Sequence, residues 1–267
     1  MSFLFLIFFS FLGLIVGSFL NVVILRHNTG ASLGGRSGCF SCGHNLTWYE
    51  LVPVVSFLAL RGRCNHCGCK ISRQYPLVEI FTSFLFILSA WKFYPDFVAI
   101  IFYAILMALL VVIVVYDLKH KIIPNKPTYI FGLLALLSPA ITGFYYLSAS
   151  DIFSQIFVNL IGGTVIFLFF FSLWYFSSGR WMGFGDAKLG FGIGALLGLS
   201  GAINAVVWAF WLGALSGLIL IALSKIKTKK IKLFRRGFSI KSEIPFAPFL
   251  VLGLILNLFW NVTVFVF

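Results

Sequence analysis

Long apolar runs alternate with short basic blocks from one end of this 267-residue chain to the other, and that alternation limits the fold more than any single motif. The runs cover residues 3–25, 77–91, 97–116, 128–147, 152–176, 188–223 and 246–267. Most have the roughly 20 residues that a helix needs to cross hydrocarbon, where each backbone polar group must be bonded within its own segment. With 61% of residues hydrophobic and 10% charged, a water-facing globule is excluded. The first run has no basic segment before it and no small-residue cleavage site after it, so it reads as a retained span and not as a signal peptide.

The formal charge of +13 would suit a nucleic-acid ligand if it covered one face. Instead the basic residues fall in blocks at 26–73, 119–126, 180–188 and 225–241, with only Lys92 outside them. Placing every block in the cytoplasm satisfies the positive-inside rule, so the charge reads as topology and no nucleic-acid partner is expected. The run 188–223 then has to cross twice, with a turn near 199–201, or the eight basic residues of 225–241 would face outward. The expected count is eight transmembrane helices with both termini outside, and with the 225–241 loop against anionic lipid headgroups.

All five cysteines lie in residues 26–75, the one sizeable polar segment and too short for an ordinary core. Cys39 and Cys42 form one C-x-x-C knuckle and Cys64 and Cys67 another, with 21 residues between them. Glycines flank both, where the chain must turn tightly to aim two sulfurs at one ion. Two such knuckles close over one tetrahedral zinc, and a site filled by four thiolates is structural because no position is left for water. A pair of disulfides is the alternative, disfavoured by a reducing cytoplasm. In the zinc reading Cys69, His44 and His66 stand outside the ligand set. The expected architecture is an all-α polytopic membrane protein: residues 1–25 a first transmembrane helix, 26–75 a cytoplasmic four-cysteine zinc module, and 76–267 a seven-helix membrane core.

Only seven residues are acidic, and two aspartates stand where apolar runs meet water on the cytoplasmic side. Asp117 ends the run 97–116, and Asp186 opens the run 188–223 inside a Gly183-Phe184-Gly185-Asp186 frame. A carboxylate at such a boundary is costly unless it has a role. Two brought together share one proton, so that the ionised member activates water while the protonated member polarises a scissile carbonyl. Gly183 and Gly185 would leave the adjoining backbone open to an extended substrate pairing as an added strand. Glu79, near the cytoplasmic end of the run 77–91, is either a helix-start carboxylate or a polar group facing a water-filled cavity, where it would contribute to substrate binding. Competing readings are aspartates that only cap helices or pair with Lys119, Lys121 and Lys188; a scaffold presenting the zinc module to an assembly machine; and a transporter using the aspartates as proton carriers.

Several longer stretches carry a resemblance. They are G-S-F-L-N-V-V-I at 17–24, the paired knuckles, W-Y-E-L-V-P-V-V-S-F at 48–57 and Y-P-L-V-E at 75–79, then Asp117 with the following I-P-N, G-F-G-D-A-K-L at 183–189 and I-P-F-A-P-F-L at 244–250. Through them the chain resembles the bacterial type IV prepilin peptidases, membrane aspartic proteases of the G-x-G-D kind. The resemblance implies a bacterial inner-membrane enzyme with Asp117 and Asp186 as its catalytic pair. It implies cleavage of the basic leader of prepilins and pseudopilins at the cytoplasmic face, and N-methylation of the exposed residue from S-adenosylmethionine. No residue is assigned to that methyl donor. Because those leaders are themselves basic, anionic lipid or a local acidic contact at Glu50, Glu79 or Glu243 would have to hold them. Two departures stand out: Ala247, where the family often has glycine and where no contact with a catalytic group is expected, and the extra Cys69.

Overall fold

The computed structural model is helical: α1 (Phe3–Arg26), α2 (Val55–Ala59), α3 (Gln74–Phe93), α4 (Phe97–His120), α5 (Asn125–Leu136), α6 (Ser138–Thr142), α7 (Ala149–Ser177), α8 (Phe184–Lys225) and α9 (Ala247–Trp260). It describes residues 2–29, 32, 34–143, 146–225 and 245–262. The basic block 225–241 after Lys225, Glu243 and the last five residues of the run 246–267 therefore lie outside the described residues. No strand occurs among those described, only two isolated bridges. Five helices, α1, α3, α4, α7 and α8, are long and apolar enough to cross a membrane, so this is a multi-pass membrane protein.

The expected apolar segments fall on helices, but eight spans were expected and five helices are long enough among the described residues, α9 with 14 residues being shorter than a span; three further differences appear. The run 128–147 is not one continuous helix: α5 ends at Leu136, and α6 restarts with Pro139 in its first turn, where the missing N–H costs nothing. α4 does not stop at Asp117 but continues to His120 and ends where Lys121 takes a φ of 55°. α8 contains 42 residues, which as a straight rod would reach about 63 Å, twice the hydrocarbon thickness. It is broken at Gly198 (φ 69°, ψ 178°), a conformation open essentially only to glycine, just before the expected 199–201 turn.

The chain divides into two compact units, Met1–Val115 and Tyr116–Phe267. In the first, α1 lies along α3 because small residues let the backbones meet: a Cβ on Gly17 would fall 2.7 Å from the Glu79 Cα, and one on Gly13 would fall 2.6 Å from the Ser83 Cα. Interhelical hydrogen bonds fix the register. Ser83 Oγ donates to the Ser10 carbonyl (3.0 Å) and Asn21 Nδ2 to the Tyr75 carbonyl (3.2 Å). Phe9, Ala90 and Ile100 form a small apolar core with Phe5 and Phe93 packed on it. Phe8, Phe11, Ile15 and Phe19 remain exposed on α1, as suits a lipid-facing side.

In the second unit α8 is the centre, packed against α5, α7 and α9. The α8–α9 crossing is close, because Gly253 lies directly on the Ala205 carbonyl. The Trp208 indole donates to the Val262 carbonyl (3.1 Å) and ties the far end of α9 to α8.

Candidate functional site

Asp117 and Asp186 both belong to the second unit, and both are buried. Asp117 sits in the last turn of α4 and Asp186 in the first turn of α8, close enough for their charges to interact. The turn before α8 seats Asp186: its Oδ2 accepts the Gly183 N–H (3.0 Å), while its own N–H donates to the Gly183 carbonyl (3.1 Å). Asp117 accepts the backbone N–H of Ala247, the first residue of α9. A helix N-terminus offers unpaired N–H groups and partial positive charge, a natural seat for a carboxylate. Asp117 Oδ2, although buried, has no hydrogen-bond partner among the described residues. Most buried acceptors in proteins are hydrogen-bonded, so an unpaired one is uncommon.

The flanking glycines shape the packing around Asp186. Phe184 opens α8, so Gly185 and Asp186 lie in its first turn. Gly185 admits Ile123 of the α4–α5 connection: a Cβ there would fall 2.8 Å from the Ile123 Cβ. Gly185→Ala should therefore push this connection away from Asp186 and lower any activity that depends on Asp186 by about tenfold while the protein stays folded, roughly 1.4 kcal/mol. An unchanged rate would show that the contact does not set the geometry of Asp186. Lys188 is not an ion-pair partner of Asp186. Its Nζ donates to Asn125 Oδ1 (2.7 Å) and lies 4.7 Å over the Phe184 ring and 5.3 Å over Tyr129.

Sequence reasoning missed Ala247, expected to touch no catalytic group yet bonded to Asp117 through its N–H. The available signal was Pro248 directly after it, since proline in a first turn marks a helix start.

Glu79 belongs to the first unit, in α3, and its Oε2 accepts the Val54 N–H (2.8 Å). It anchors a segment strained by a φ of 61° at Val54. Glu50 is also engaged: its Oε2 accepts both the N–H and the hydroxyl of Thr47 (2.8 Å each) and lies 3.5 Å from His44 Nε2. The Thr47 backbone N–H, then its hydroxyl, hold the Glu50 carboxyl below the usual carboxylate range. Two of the three acidic contacts expected to meet a leader are thus tied internally.

The cysteines converge in the same unit as free thiols. Cys39, Cys64, Cys67 and Cys69 have sulfurs all within 4.8 Å of one another, a group able to hold a metal ion. Cys39 Sγ is 3.8 Å from Cys67 Sγ and 3.4 Å from Cys69 Sγ. Four thiolates around tetrahedral zinc at 2.3 Å stand about 3.8 Å apart, so the donor set fits. Backbone N–H groups of Cys42 and Ser41 bring the Cys39 thiol down to about 6, which favours the thiolate that a metal needs. The expected set was Cys39, Cys42, Cys64 and Cys67. The structure puts Cys69 in the group, because the Cys64 N–H bonds to the Cys69 carbonyl and folds that residue back over the knuckle, while Cys42 lies at the rim.

A helical membrane protein with two buried, mutually interacting aspartates at helix ends has the makings of an intramembrane-type hydrolase. Comparison makes the class specific. Residues 11–93 match the model of the bacterial peptidase A24 N-terminal domain, and residues 104–218 match that of the type IV leader peptidase family. A Xanthomonas campestris protein is 30% identical over 281 residues, covering 94% of this chain and 89% of its own. A Myxococcus xanthus protein is 37% identical over 223 residues, covering 82% of this chain but only 64% of that relative's length. One from Vibrio cholerae is 33% identical over 243 residues, covering 79% and 88%. All three are called prepilin leader peptidase/N-methyltransferase. No solved structure matches. The chain belongs to the type IV leader peptidase family.

Proposed function

We propose that this protein is an aspartic endopeptidase of the bacterial cytoplasmic membrane that removes the leader from type IV prepilins and pseudopilins on the cytoplasmic side, and N-methylates the residue so exposed. The observation that carries the peptidase reading is the pair Asp117 and Asp186: buried, within each other's field, each seated by one backbone N–H, with Asp117 Oδ2 unpartnered. One carboxyl of the pair is ionised and takes a proton from water as the oxygen attacks the scissile carbonyl. The other, protonated, donates a hydrogen bond to that carbonyl oxygen. The tetrahedral adduct then collapses, and the departing nitrogen takes a proton from the pair. No covalent intermediate forms, and the two protonation steps belong to the pair as a unit.

Gly183 and Gly185 serve substrate binding by setting the position of Asp186, and Glu79 by holding the Val54 segment. The cysteine cluster would hold zinc, whose part with four thiolates is to fix the fold of a segment too small for its own core. The methyl group of the second activity would come from S-adenosylmethionine. The cysteine segment has no glycine-rich nucleotide-binding turn, so no residue is assigned to that donor and no step is drawn through it. Anionic lipid is the proposed common surface for the basic enzyme and the basic leader.

The test is to incubate purified, folded enzyme with a prepilin segment and S-adenosylmethionine, then weigh the product. The expected product lacks the leader and carries one added methyl group. A cleaved but unmethylated product would reduce the reading to a peptidase alone, and an intact substrate would overturn it.

A further inference from the structure

The two cysteine knuckles repeat one backbone pattern. In the first, the Cys39 N–H donates to the His44 carbonyl (2.9 Å) and the Gly43 N–H to the Cys39 carbonyl (2.9 Å). In the second, the Cys64 N–H donates to the Cys69 carbonyl (2.8 Å) and the Gly68 N–H to the Cys64 carbonyl (2.9 Å). Gly43 and Gly68 take nearly the same left-handed φ, 71° and 69°, and antiparallel bridges Gly38–Asn45 and Arg63–Lys70 close the two turns. His44 and Cys69 therefore hold equivalent places, each two residues past the second cysteine of its knuckle.

The side chains at these equivalent places differ in direction. The His44 ring is engaged by Glu50 and stacks on His66, with centroids 5.1 Å apart. Cys69 instead brings its sulfur to 3.4 Å from Cys39 Sγ and into the group of four. Cys42 contacts Cys39 and Cys67 from the exposed rim of that group. Five thiols thus meet where a tetrahedral ion accepts four.

We propose that Cys69 is a ligand of this metal centre and shares the fourth coordination position with Cys42, while Cys39, Cys64 and Cys67 hold the other three. The inference rests on the reading of the cluster as a metal site. Exchange breaks one metal–sulfur bond and makes another; the entering thiol gives its proton to water, the released thiolate takes one from water, and no oxidant or reductant is needed. The centre would then survive loss of either rim thiol.

The zinc-loaded full-length protein, treated with iodoacetamide without denaturation and mapped by peptide mass spectrometry, tests this. The expected label is about one per chain, divided between Cys42 and Cys69, with Cys39, Cys64 and Cys67 protected. Label confined to Cys69 would make it a bystander and overturn the proposal. Label on all five would mean that the cluster holds no ion, and the metal-site reading itself would fall with it. In cobalt-substituted protein, Cys42→Ser should keep the thiolate-to-metal absorption of a four-sulfur site, and Cys42→Ser/Cys69→Ser should lose it. Loss of that absorption in Cys42→Ser with Cys69 intact would also overturn the proposal.

Discussion

Asp117→Asn and Asp186→Asn should each lower prepilin cleavage by about a thousandfold or more, roughly 4 kcal/mol at the barrier. Asparagine keeps the shape and the oxygen that accepts the Gly183 or Ala247 N–H, so the fold should survive. It can neither take a proton from water nor hold one for the carbonyl, and proton transfer by a positioned group contributes about 10²–10⁴ in rate. The effects should not add in the double variant, because either substitution removes the same shared proton. Methylation of a peptide already lacking its leader gives the control, and both variants should retain it. A wild-type cleavage rate in either folded variant would remove the carboxylate pair from the mechanism.

The second large effect is on stability. Gly253→Val should destabilise the protein by about 3 kcal/mol, since its Cβ and branches would occupy the place of the Ala205 carbonyl at the α8–α9 crossing, and backbone cannot swing aside as a flexible side chain can. A thermal melt in detergent should move down by several degrees. Leu252→Val, one residue away on the exposed side of α9, should leave the melt nearly unchanged. Cleavage should also slow in the folded fraction, because α9 carries the N–H that seats Asp117. Coincident melts for Gly253→Val and wild type would mean that α9 does not dock on α8 in this way.

The large pattern was legible because it follows from solvent and charge. Apolar length and basic blocks called for a double crossing in 188–223, and α8 is indeed interrupted, at Gly198, one residue before the expected turn. Asp117 and Asp186 stood out because acid is scarce and costly at a membrane boundary, and the fold brings them into one field. What was hidden depends on contacts far apart in sequence. Nothing local says that Gly185 yields to Ile123, that Lys188 finds Asn125, or that Ala247 reaches Asp117 across some 130 residues. The split of 128–147 was missed although Pro139 was in view, because hydropathy counts apolar residues and ignores a missing N–H. The place of Cys69 was missed for a related reason. Spacing rules describe pairs of cysteines, whereas its position follows from a backbone bond that turns the chain back on itself.

The dependence of Asp117 on the first N–H of α9 has a bearing on biosynthesis. A chain emerging in order carries both aspartates once the start of α8 is made, but it lacks this donor until α9 has been made and docked. On the proposed mechanism the pair is seated only once α9 has docked, so a nascent chain that has not yet made α9 should cleave poorly in a membrane crowded with other nascent helices.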